Sequence, residues 1–294
     1  IFRAQENTRG PMVISIISNV MNIVGNGILI WVFHMGVAGA AISTLVSRIF
    51  CAVVVLYQLR KNRQPIVVRD YLKIRPDGKM IGRILALGIP SGIENSMFQL
   101  GKLAIQSTVS TLGTTAIAAQ AMTNMLEMLN GTAVIGVGIG LMTVVGQSLG
   151  AGRKDEAVYY MKKLMAFSEV FLIICCAVVY ALARPITMIG GMEAKSAEMC
   201  LDMMFWITIV KPMVWMFAFI PAYGMRAAGD VKFSMITSCI TMWTFRFCLC
   251  VYLIRVCGMG PMAVWIGMFT DWTVRAIVFG LRFKSGKWME HKVV

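Results

Sequence analysis

Residues 84–112 read ILALGIPSGIENSMFQLGKLAIQSTVSTL, and residues 116–147 read AIAAQAMTNMLEMLNGTAVIGVGIGLMTVVGQ. An α-helix rises about 1.5 Å per residue, so roughly 20 apolar residues cross the roughly 30 Å of a bilayer's hydrocarbon, and each run is long enough. Polar residues in the first run, Ser91, Asn95, Gln99, Lys102, Gln106 and Ser110, recur every three or four positions and so share one helical face. The second run answers with Gln120, Asn124, Glu127 and Gly131 at the same spacing. Hydrocarbon cannot satisfy such groups, so both faces are predicted to look into protein or a water-filled cavity. The turn at Gly113, Thr114 and Thr115 makes the two runs an antiparallel pair. Lys102 and Glu127, equidistant from that turn, are then expected at one depth, where they can form an ion pair.

Runs of the same kind recur at 11–33, 37–59, 156–183, 199–224, 233–254 and 261–281, which makes eight predicted spans. With 58% hydrophobic and only 14% charged residues, water is not this chain's main solvent. The expected fold class is an all-α integral membrane protein with eight transmembrane helices. The net charge of +14 does not point to nucleic acid, because the basic residues gather in alternate connections. Arg60, Lys61, Arg63, Arg69, Lys73, Arg75, Lys79 and Arg83 fill one; Arg153 and Lys154, Arg226 and Lys232, and Arg282, Lys284 and Lys287 mark others. The positive-inside rule places those connections and both termini in the cytoplasm of a multi-pass protein of the cell membrane. The opening residues do not resemble a signal peptide, and the lack of an initiator Met leads to the expectation of a fragment.

Self-comparison shows a weak repeat. Arg3, Ala4, Arg9, Met12, Ser15 and Ile17 match Arg226, Ala227, Lys232, Met235, Ser238 and Ile240 at a constant offset of 223. Two helices separated by four others then recur in one orientation, as in a six-helix unit used twice, a known transporter plan. The domain reading is 1–59 as the end of an N-terminal lobe, 60–83 as a basic cytoplasmic linker, 84–283 as a C-terminal six-helix lobe and 284–294 as a cytoplasmic tail.

Ionisable residues inside a bilayer are costly, and by default they mark a transport pathway or proton relay. Mid-span charges here are Glu94, Lys102, Glu127, Glu169, Lys211, Arg246, Asp271 and Arg275. A carboxylate that takes up a cation in one conformation and releases it in another couples transport simply, so Glu94, Glu127 and Asp271 are the candidate coupling or proton-relay residues. Asn95, Gln99, Lys102, Gln106, Gln120 and Asn124 are the candidate cavity lining. Pro212 and Pro221, inside the sixth span, each remove a backbone donor and are candidate hinges. The eight cysteines include no CxxC pair and are read as free thiols. Only His34 and His291 are present, and HExxH and Walker motifs are lacking, so an enzyme is not expected.

The stretch Gly88-Ile89-Pro90-Ser91-Gly92-Ile93-Glu94, the run Gly113 to Ala119, and Val145-Gly146-Gln147-Ser148-Leu149-Gly150-Ala151-Gly152-Arg153 followed by Asp155-Glu156-Ala157 resemble the multidrug and toxic compound extrusion (MATE) family. Phe2-Arg3-Ala4 with Arg9-Gly10-Pro11-Met12 resembles the junction of that family's fourth and fifth helices. The resemblance implies twelve helices in two six-helix lobes around a central cavity. This chain would supply helices five to twelve, the last six forming a complete lobe. It further implies antiport of organic, cationic or amphipathic compounds, drugs included, against H⁺ or Na⁺. A small organic molecule and the lipid bilayer are the expected partners of a monomer, with no cofactor beyond the coupling ion and no metal site. Where some members place acidic Na⁺ ligands, this chain has Phe98 and Trp215. A flippase for lipid-linked saccharides, from the same superfamily, is the rival reading. It calls for a strongly basic cavity, whereas Lys102, Lys211 and Arg246 set against Glu127, Glu169 and Asp271 look mixed.

Overall fold

The computed structural model describes residues 9–60 and 77–290. The start of the repeat match at residues 1–8, the bulk of the expected linker at 61–76 and residues 291–294 lie outside the described residues. The chain divides into two compact units, Ile1–Asp77 and Gly78–Val294.

In the first unit, α1 (Arg9–Gly27) continues through a π-helical segment (Ile28–Val32) and is followed by α2 (Gly36–Arg60). Lipid offers no hydrophobic force between helices, so small residues and buried hydroxyls join them instead. Ser18 Oγ donates to the Ser47 carbonyl at 2.9 Å, Ser43 Oγ to the Asn22 carbonyl at 2.9 Å, and Asn22 Nδ2 to Thr44 Oγ1 at 3.1 Å.

The second unit contains α3 (Gly78–Val109), α4 (Thr114–Gly150), α5 (Lys154–Ile189), α6 (Ala194–Ala227), α7 (Val231–Thr241), a π-helical segment (Met242–Cys248), α8 (Leu249–Arg255) and α9 (Met262–Lys284). Its main core joins α4, α5, α6 and α9 through Leu126, Leu141, Met161, Leu172, Met204, Ile207, Trp265 and Trp272. A smaller core of Ile105, Val109, Met242, Cys250 and Val264 fastens α3 to the α7–α8 segment and α9. Taking α7, its π segment and α8 as one span, the eight predicted spans correspond to eight helical segments. Among the described residues, seven are both long and apolar enough to cross a membrane; α3, at 32 residues, has the length but is set apart by its polar face.

Three features differ from the expectation. Helices run past the predicted spans, because backbone hydrogen bonding continues after hydropathy falls: α4 has 37 residues, and α3 begins at Gly78, inside the expected linker. The tail beyond α9 folds back as a short 3₁₀ turn, Lys287–Met289, which buries Trp288 completely and stacks it on Phe283 at 5.7 Å between centroids. The seventh predicted span is interrupted by the π turn at Met242–Cys248.

Gly267 lets α9 pack closely against that π turn. A Cβ there would lie 2.9 Å from the Arg246 carbonyl oxygen and 3.4 Å from that of Phe245, both backbone atoms with little freedom to yield. Gly267→Ala is expected to lower stability by about 1–3 kcal/mol, read as a lower thermal unfolding midpoint in detergent. An unchanged midpoint would mean that α9 and the π turn separate easily.

Candidate functional site

The second unit carries an open cavity of about 900 Å³ between α3, α4, α6, the α7 region and α9. Six expected lining residues, Asn95, Gln99, Lys102, Gln106, Gln120 and Asn124, all face it, as do Glu94 and Glu127. The apolar lining combines the aromatic rings of Phe98, Trp215, Phe219, Tyr223, Trp272 and Phe279 with aliphatic residues such as Leu103, Met128 and Ile135. Two polar groups are held in place by neighbours. Gln120 accepts from Trp265 Nε1 at 3.2 Å and donates to Asn124 Oδ1 at 3.4 Å, which ties α4 to α9. Ser91 and Ser110 do not line the cavity; they sit on the stripe's two ends, where the Ser91 carbonyl accepts from Asn95 Nδ2 and Ser110 Oγ donates to the Ser107 carbonyl.

Each candidate carboxylate has a cation of its own. Glu127 does not pair with Lys102. Its Oε1 lies 2.6 Å from Nζ of Lys211 on α6, and the same ammonium donates to the Glu127 carbonyl at 3.0 Å. Helix spacing gives depth but not the third helix that fills the gap, and α6 packs directly on α4. Lys211 is fully buried, with its ammonium 5.3 Å from the Trp215 ring centroid. Glu94 pairs with Arg226 at 2.7 Å. Arg226 reads from sequence as a loop residue but belongs to the last turn of α6 and lines the cavity.

Asp271 is not on the cavity wall; it lies behind it, fully buried, and holds Arg275 one turn later at 2.7 Å. Arg275 in turn donates to the Ser238 carbonyl at 3.0 Å and faces the cavity. Glu94 Oε2 and Asp271 Oδ2 are buried without a protein hydrogen-bond partner. Glu169 stands apart on α5, half-buried. The proposed hinge residues Pro212 and Pro221 both lie within α6, which runs unbroken from Ala194 to Ala227.

The residues that sequence reasoning left out are Phe98 as a site element, Phe219, Tyr223 and Arg226. Aromatic residues at helical spacing give no signal that separates cavity wall from core. In the structure the Phe98 ring is the common neighbour of three cations: Lys102 Nζ at 5.0 Å, Arg246 Cζ at 5.2 Å and Arg275 Cζ at 5.9 Å from its centroid.

Comparison with known proteins agrees with this architecture. The family profile described as MatE matches residues 90–252, and that of the lipid II flippase MurJ matches residues 1–73. The probable multidrug resistance protein NorM of Thermotoga maritima is 25% identical over 304 residues, covering all of this chain and 64% of NorM. The uncharacterized transporter YisQ of Bacillus subtilis is 24% identical, covering 99% of this chain and 64% of YisQ. An outward-facing multidrug resistance MATE family transporter of the MOP superfamily superposes with a TM-score of 0.83 at 17% identity, over 99% of this chain and 65% of that one. A MATE protein in complex with MaL6 superposes with a TM-score of 0.81 at 17% identity, over 99% and 66% of the two chains. The chain thus spans a little under two thirds of the length of these relatives. With the MatE match extending over more than half of its residues, and running through the helices that wall the cavity, this multi-pass membrane chain belongs to the MATE family, whose members are transporters and not enzymes.

Proposed function

We propose that this chain carries the second lobe of a secondary active antiporter of the cell membrane, which exports organic compounds, cationic or amphipathic and including drugs, in exchange for H⁺ or Na⁺. The observation that carries this reading is the cavity of mixed polar and apolar lining with carboxylates on its wall or directly behind it, each tied to a cation from another turn or helix. Such pairs can open when a proton or Na⁺ takes the carboxylate, so loading changes which helices are held together. Glu94 and Asp271 are the strongest coupling candidates, since each keeps one carboxylate oxygen without a protein partner. Glu127 is more firmly engaged. Asn95, Gln99, Lys102, Gln106, Gln120 and Asn124 then supply polar contacts to the cargo, and Pro212 and Pro221 supply the give in α6 that alternating access needs. The protein acts as a monomer with both ends of this chain in the cytoplasm, a topology consistent with the distribution of Lys and Arg. The flippase match covers residues 1–73, which belong to the other unit, and adds no support for a lipid cargo in the cavity.

The test is efflux of an organic compound from proteoliposomes containing the full-length protein, with H⁺ and Na⁺ gradients imposed separately. Glu94→Gln, Glu127→Gln and Asp271→Asn are compared with the unchanged protein, and folding is followed by size-exclusion chromatography. At least one variant is expected to keep its fold and lose coupled efflux by about tenfold or more. Normal coupling in all three would remove these carboxylates from the mechanism.

A further inference from the structure

Among the described residues, five cations border the cavity or its carboxylates: Lys102, Lys211, Arg226, Arg246 and Arg275. Three have a carboxylate within salt-bridge distance, and Lys102 and Arg246 have none. Among the described residues the pairing therefore leaves two cations without a carboxylate of their own, and both sit over the same ring, that of Phe98.

These two are not equivalent to surface lysines. Arg246 is only 7% exposed, faces the cavity, and has a buried Nε without a hydrogen-bond partner. The π turn and the close approach of Gly267 set its backbone position. Arg275, paired to Asp271, adds a third cation around the ring. A ring quadrupole offsets part of the charge of the cations near its face, yet it cannot supply the counter-ion that closely held like charges call for in a low-dielectric space.

We propose that Lys102 and Arg246, backed by Phe98, form an anion-binding subsite, and that the compounds carried are amphipathic organic anions with a carboxylate or sulfonate on an aromatic body. The guanidinium offers a planar fork to such a group, and Lys102 offers a mobile point charge. Phe219 and Tyr223, partly exposed in the cavity lining, suit the aromatic body. This inference rests on the export reading and narrows its substrate class.

Equilibrium binding to the full-length protein in phosphatidylcholine nanodiscs, followed by quenching of tryptophan fluorescence, tests the subsite without requiring transport. p-Aminohippurate serves as the anionic probe and tetraphenylphosphonium as the cationic one. Lys102→Gln and Arg246→Gln are each expected to weaken p-aminohippurate binding by about tenfold or more, the loss of one charge-assisted contact, while Lys102→Arg retains it and tetraphenylphosphonium is held no less tightly. Lys102 is open to the cavity, so Lys102→Gln carries the test if Arg246→Gln does not fold. Binding of the cation alone, or unchanged anion binding in Lys102→Gln, overturns the proposal. So does Lys102-dependent binding of undecaprenyl pyrophosphate with none of p-aminohippurate, which would assign the anionic group to a lipid carrier. Anion binding that persists in a protein whose proteoliposomes move neither probe would overturn the export reading and leave the subsite standing.

Discussion

Glu127→Gln is expected to destabilise the second unit by about 3–5 kcal/mol, because it strands the fully buried Lys211 ammonium without a counter-charge. Lys211→Met is expected to cost distinctly less. Glu127 keeps about a fifth of its side chain exposed, on the cavity wall, so its carboxylate can be solvated once the ammonium is gone. The double variant, Glu127→Gln with Lys211→Met, should recover most of the loss, since a buried ion pair replaced by apolar and neutral groups is often close to neutral. Thermal unfolding in detergent, arranged as a double-mutant cycle, reads all three. Equal losses in the two single variants would refute this asymmetry.

A second large effect is expected for Asp271→Asn, again about 3–5 kcal/mol, with loss of efflux beside it. The change leaves Arg275, itself 2% exposed, as the third unpaired cation around Phe98 with Lys102 and Arg246. Recovery in Asp271→Asn with Arg275→Met should be only partial here. Arg275 also donates to the Ser238 carbonyl and thereby ties α9 to α7, a contact that methionine cannot make. Full recovery would show that the bond to Ser238 contributes little. The two cycles together separate an ion pair between helices, at Glu127, from one within a helix, at Asp271.

Much of this architecture is legible in the chain itself. The period of Asn95, Gln99, Lys102 and Gln106 places them on one face, and the structure turns that face into the cavity. The counterpart face, Gln120, Asn124 and Glu127, meets it as hairpin geometry requires. Local rules were weaker where the chain leaves regular geometry. Nothing in the residues 242–248 marks the π turn, against which Gly267 of α9 packs closely. Trp288 looks like part of a polar tail and is instead a fully buried residue packed on Phe283.

Composition and periodicity by themselves determined that this is a bundle of bilayer-length helices, how those helices are ordered, and which face of each hairpin helix is hydrophilic. Those properties follow from the solvent and from the pitch of one helix, so a single strand of residues specifies them. Which charge meets which was decided only by tertiary structure: Lys211 with Glu127, Arg226 with Glu94, and Lys102 and Arg246 left over beside Phe98. Ion pairing depends on the rotation and approach of helices distant in the chain, and at a separation of a few ångströms a quarter-turn of one helix exchanges one partner for another.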